Sequence, residues 1–194
     1  MMGIFDTSAY IGQLMAGTFT REGFLKDAKA AGATELCVQV RFFPERAMYW
    51  TRMLRNAAAA QGMELTTIEL SSELIAEEKT VKEQRLNLSE WIRIAALSKI
   101  KRIRIRVDGE PGDPQAAKRL VDALAPLMEM TRLYGTVLVL AFGSAEMSDA
   151  QLLEAAKALG YGSCRVGAQE TLSGCDAWWA AWRAWCWASR CRPS

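Results

Sequence analysis

Histidine does not occur anywhere in the 194 residues of this chain. Its absence excludes a Ser-His-Asp or Cys-His nucleophile, a histidine general base and every zinc site that needs imidazole. Cysteine is sparse: Cys37, Cys164, Cys175, Cys186 and Cys191 include no CxxC pair. They read as free thiols of a reducing compartment. No GxGxxG or GxxxxGK[ST] loop follows any apolar run, so dinucleotide and P-loop chemistry have no support. One-sided charge is also missing. With 24 Lys and Arg against 22 Asp and Glu, the net charge of +2 argues for no nucleic-acid partner. No apolar run approaches the roughly 20 residues that cross a bilayer. The start, "MMGIFDTSAYIG", lacks the basic-then-apolar order of a secretory leader. The expectation is a cytoplasmic protein without a membrane span.

What remains is a chain with enough apolar content, 51% of residues, to build one sizeable core. Strand and helix patterns alternate along it. "TREGFLKDAKAAGA" is helical, with Phe24, Leu25 and Ala28 on one face and Gly32 as a stop. "TELCVQV" is a strand, and "PERAMYWTRMLRNAAAAQG" is a helix opened by Pro44 with Ala47, Trp50, Leu54 and Ala58 on one stripe. "MELTTIEL" is the next strand. Thr80 and Glu83 fit a capping box for a helix that turns Leu88, Trp91, Ile92 and Ala95 inward. "KRIRIRV" is a strand, and Asp113–Pro114 reads as N-cap and first residue of a helix carrying Leu120, Leu124 and Leu127. "YGTVLVLAFGS" is an apolar strand, followed by a helix opened by a Ser148–Gln151 capping box. Weaker strands at "MGIFDTSAY" and "SCRVGA" bring the count to about six. This is a repeated βα unit with parallel strands; periodicity alone suits a barrel and a doubly wound sheet equally.

Several segments, taken in order, decide between them by resemblance. "SAYIGQLMAGTFTREGFLKDAKAAGATELCVQVRFFP" resembles the first unit of the sugar phosphate isomerase/epimerase family, the xylose-isomerase-like TIM barrels. "WIRIAALSKIKRIRIRVDGEPG" is similar to that family's "WI..A..LGA..IRVF.G", and "LYGTVLVLAFG" to the strand that in the family ends "LALENHG". The likeness spans about residues 8 to 170. It implies an incomplete (β/α) TIM-type barrel of about six parallel strands with outer helices over residues 1–167, because a whole barrel needs about 250 residues.

The resemblance also implies metal-assisted proton transfer beside a sugar carbonyl: ketose–aldose isomerisation or epimerisation with a divalent ion such as Mn, Mg or Co. Carried over residue by residue, the metal set fails. The family Glu falls on Leu140, the Asn on Ala141, the His on Phe142, and a later Asp near Gln169. Leu140 and Phe142 then read as inward-facing apolar residues filling barrel layers. The expectation is therefore a barrel whose metal site is degenerate or truncated, needing no cofactor. The alternative is a non-catalytic remnant that binds a sugar-like ligand or a protein.

Candidate substrate-binding residues are the polar groups near strand ends: Arg41, Glu69, Arg104, Asp108, Glu110 and Glu146. Arg104 matches the family's "IRVF" best. The alternation in "RIRIRV" puts Arg102, Arg104 and Arg106 on one side of a strand, where they can pair with Glu35 or Glu69 on neighbouring strands. A sugar or sugar-phosphate ligand, and a homo-oligomer covering open strand edges, are the partners this reading allows.

Residues 168–194 differ in kind. "CDAWWAAWRAWCWASRCRPS" holds five of the seven tryptophans and three of the five cysteines. As a helix it would align Trp178, Trp182 and Trp185 in one stripe. It reads as an edge-covering helix, as a membrane-interface helix with Arg183, Arg190 and Arg192, or as the product of a shifted reading frame.

Overall fold

The computed structural model describes residues 4–43, 47–107, 113–141, 147–160 and 164–167. Six strands run through them: β1 (Ile4–Asp6), β2 (Glu35–Gln39), β3 (Glu64–Ser72), β4 (Arg102–Val107), β5 (Val137–Ala141) and β6 (Cys164–Gly167). They form one sheet in sequential order, and every neighbouring pair is parallel. Parallel neighbours need a crossover, and helices supply each one. These are α1 (Ile11–Met15), α2 (Arg21–Ala30), α3 (Ala47–Ala59), α4 (Glu78–Leu97), α5 (Ala116–Leu124), α6 (Met128–Tyr134) and α7 (Asp149–Leu159).

The local chemistry explains most boundaries. Thr20 caps α2 by accepting from the Gly23 amide at 3.1 Å, and the chain leaves that helix through Gly32 at φ +73°. Gly135, at φ +64°, ends α6 and turns the chain into β5. The Ser148–Gln151 capping box that opens α7 is present in both directions.

Two expected starts are displaced. Helix α4 begins at Glu78 with Glu77 as N-cap, so Thr80 lies inside it and the Thr80–Glu83 box does not form. Acidic Glu78 in the first turn suits the positive end of the helix dipole there. Helix α5 begins at Ala116 rather than at Pro114. The Asp113 carboxylate instead accepts from the Gln115 amide at 2.8 Å, closing a turn ahead of the helix. The expected helix start at Pro44 lies outside the described residues, within which α3 opens at Ala47. The single helix expected through Leu127 is broken at Pro126 into α5, a 3-10 turn and α6.

The sheet has two chemically different faces. Leu36, Val38, Ile68, Leu70, Ile103, Ile105, Val107, Leu138 and Leu140 are all buried in one core with helix residues such as Phe24, Leu54, Leu88, Ile92, Leu120, Leu124 and Leu152. This is the helix-covered face. By alternation, the other face carries Cys37, Gln39, Thr67, Glu69, Arg102, Arg104, Arg106, Val137 and Val139. We call it the inner face. A bulge in β3 opposite Leu36/Cys37 adds Thr66 to it beside Thr67.

Leu140 is thereby corrected. It pairs in register with Ile105 and is fully buried on the helix-covered face, not inward. Val137 and Val139, in register with Arg102 and Arg104, and Ala141 are the inner-face residues of β5. The physical reason is the packing of the crossover helices, which takes the larger leucines and leaves the valines half-buried. Phe142 and Gln169 lie outside the described residues, as does the tryptophan-rich tail.

Candidate functional site

The inner face carries two ionic layers. The lower one, at the strand starts, joins β2, β3 and β4: the Arg102 guanidinium donates to the Glu35 carboxylate and to the Thr66 hydroxyl, and Thr66 also donates to Glu35. Thr66 is buried but the two charged side chains are about a third exposed, so this layer ties the strands together at modest gain.

The upper layer lies nearer the strand C-terminal ends and centres on Glu69 of β3. Its Oε2 lies 3.3 Å from Arg104 Nη1, and its Oε1 accepts from Arg106 Nη2 at 3.3 Å. Gln39 of β2 donates its amide to the same Oε1 at 3.4 Å and to the Ser8 hydroxyl at 3.2 Å. The Gln39 backbone N–H donates to the buried Thr7 hydroxyl at 3.0 Å, which holds β2 against the loop after β1. Register explains the meeting: Gln39, Glu69 and Arg104 are direct partners across three adjacent strands. Glu69 and Arg104 are 3% and 7% exposed, whereas the Arg106 side chain is 44% exposed. The floor of this cluster is therefore desolvated and its rim is wet.

Cys37 sits under the same layer. Burial pushes its thiol up to about 12, helped by the Glu69 charge, with the Arg104 guanidinium pulling the other way. It is protonated at neutral pH and is not a nucleophile. Cys164 is raised to about 12 by burial alone. A separate cavity of about 300 Å³ lies on the helix-covered side between Phe19, Phe42 and Trp50, where Arg21 stacks over the Trp50 ring at 4.2 Å. It shares no residue with the Gln39–Glu69 cluster.

Of the candidates expected from sequence, Glu69 and Arg104 come together. Arg41 does not join them: it is exposed on the 3-10 turn (Val40–Phe42) that follows β2. Asp108, Glu110 and Glu146 lie outside the described residues. Gln39 and Arg106 were not among the candidates. Arg106 was legible from the alternation that marks Arg104; Gln39 carried only the weak signal of a polar residue near a strand end.

The sequential parallel sheet wrapped by helices on one face matches solved structures closely enough to name its type. The fold is that of the xylose-isomerase-like TIM barrels. A D-psicose 3-epimerase crystallised with D-fructose is similar at a TM-score of 0.64 and 15% identity, covering 78% of this chain and 58% of that one. A probable 3-DHS dehydratase from Bacillus anthracis gives 0.70 and 13%, covering 87% and 62%. A sugar phosphate isomerase/epimerase from Parabacteroides distasonis gives 0.62 and 12%, covering 86% and 64%. The chain thus spans somewhat less than two thirds of these barrels. No family model and no curated protein matches it. Because one barrel type houses both epimerases and a dehydratase, the reaction has to be read from side chains. No described helix of this barrel is long and apolar enough to cross a membrane.

Among the described residues, the donors do not fit the divalent ion that such a resemblance implies. Among the described residues no three His, Cys, Asp or Glu side chains converge. Glu69, the buried carboxylate of the barrel's inner face, has one oxygen against each of two guanidinium groups. A cation placed there would meet two positive charges and displace two ion pairs in a desolvated site.

Proposed function

We propose that this chain is a sugar isomerase/epimerase-type barrel whose inner face binds a sugar-like ligand without the divalent metal of that family. The observation that carries this reading is the Glu69 carboxylate, held by Arg104 and Arg106 at the level where such a barrel presents its ligand-binding end. Gln39, Glu69, Arg104 and Arg106 supply donors and acceptors suited to hydroxyl groups, and no proton-transfer pair is poised among them. With both Glu69 oxygens engaged, it serves as a fixed acceptor rather than as a general base. Binding, not ketose–aldose exchange, is the activity this set supports.

Ligand-observed NMR with D-fructose and D-tagatose, sugars named with structurally similar epimerases, tests the reading on the purified full chain with EDTA or Mn²⁺. Saturable binding that neither addition changes, with no epimer formed, is the expected result. Manganese-dependent epimerisation would replace it with the metal-enzyme reading. Absence of binding by any sugar would remove ligand binding altogether.

A further inference from the structure

The cavity between α2, α3 and the end of β2 interrupts an otherwise packed core. Protein interiors leave few voids larger than a water molecule, yet this one measures about 300 Å³, the size at which small-molecule sites begin. Its lining grades from dry to wet. Phe24 and Leu54 at the floor are buried, whereas Glu22 at the mouth is exposed. Between them stand Phe42 and the half-buried Phe19 and Trp50. Phe19 and Phe42 meet edge to face, with ring centroids 4.7 Å apart.

The charge at the mouth is Arg21. Its guanidinium lies 4.2 Å from the Trp50 ring centroid, which uses the face of the planar group and leaves its edge N–H groups open. Among the described residues those groups make no hydrogen bond. The Glu22 carboxylate is 3.8 Å away, past hydrogen-bonding distance, on a side chain that is 81% exposed. Apolar walls lower the local dielectric, so an anion gains more from Arg21 here than it would in open water. A second cation would be repelled. The walls also argue against a polyhydroxylated guest. The Thr7 and Thr20 hydroxyls already serve the backbone, accepting from the Gln39 and Gly23 amides at 3.0 and 3.1 Å. Sugar hydroxyls would be left against aromatic rings, where an unpaired polar group is costly.

We propose that this cavity binds an apolar monocarboxylate, its body between Phe19, Phe42 and Trp50 and its carboxylate on the edge of the Arg21 guanidinium. An aryl ring satisfies these walls by edge-to-face contact, and an alkyl chain does so by dispersion. The site is on the helix-covered side and shares no residue with the Gln39–Glu69 cluster, so it stands apart from the sugar-binding reading.

The test is ligand-observed NMR titration of the full chain at low salt with 3-phenylpropionate, octanoate and the primary amide of each. At least one acid is expected to bind about tenfold tighter than its amide, as a charge-assisted bond gives. The tighter acid tells aryl from alkyl. Arg21→Met, which keeps an apolar stem beside Trp50, should bring acid and amide level. Glu22→Gln removes the carboxylate that competes for Arg21, so it should tighten the acid and leave the amide unchanged. A damaged fold cannot produce that gain. Trp50→Ala should weaken acid and amide alike. Failure of all four compounds to bind, equal affinity of acid and amide, or a preference that survives Arg21→Met overturns the site and leaves the inner-face reading untouched.

Discussion

Arg104 and Glu69 face each other across β4 and β3 at 3.3 Å, with side chains 9% and 4% exposed. Two charges that deep are stable only as a pair. Removing Glu69 leaves Arg104 uncompensated, a loss of about 3–5 kcal/mol, whereas removing Arg104 leaves Glu69 still paired with Arg106. Glu69→Gln is therefore expected to lower the urea midpoint sharply, and Arg104→Met to lower it less. The double variant should recover much of the loss, because replacing both partners by apolar or neutral groups removes the buried charge. Additive losses would mean that the two side chains do not depend on each other.

The face assignment of β5 makes a second prediction. Leu140 is fully buried under the crossover helices, whereas Val139 is half-buried on the inner face. Leu140→Ala should cost about 2–5 kcal/mol by opening a cavity in a packed core. Val139→Ala should cost well under half of that, measured by the same denaturation. The reverse order would place Leu140 inward.

Alkaline sensitivity follows from the cysteines. Both described thiols rise from 9.0 unfolded to about 12 folded because burial penalises the thiolate. The folded state then holds protons that the unfolded state releases, so stability is full below about pH 9 and falls as pH rises towards 12. Tyr10 adds to this in the upper part of the window: burial and its bond to Asp27, at 2.7 Å, raise it to about 12. Urea midpoints are expected to be level from pH 7 to 8.5 and to drop by pH 10.5. In the native chain at pH 8, peptide-resolved mass spectrometry should find Cys37 and Cys164 unmodified by iodoacetamide until denaturant is added.

At the start of α7, Ser148 accepts from the Gln151 amide at 3.3 Å and Gln151 returns the contact to the Ser148 backbone at 3.0 Å. Ser148→Ala should destabilise by about 1 kcal/mol. Ser148→Asp, an equally good cap, should restore the midpoint.

The elements themselves were written in local chemistry. Ser148 with Gln151 marks a helix start, Gly32 marks a helix end, and "RIRIRV" announces a strand with arginines along one side. Even the pairing of those arginines with Glu35 and Glu69 followed from alternation plus the order of neighbouring strands. Period-two spacing says that Leu140 and Val139 point opposite ways, but not which of them meets the helices. That choice belongs to the crossover packing, which buries the larger leucines and leaves the valines inside. The site was legible only in pieces for a related reason. Gln39, Glu69 and Arg104 sit about thirty residues apart along the chain, and a single sequence carries no record of strand register. Composition and spacing alone therefore determined the βα alternation and the lack of imidazole. Tertiary structure decided that one carboxylate would be shared by two guanidinium groups, because only the parallel sheet brings three distant strands to one level.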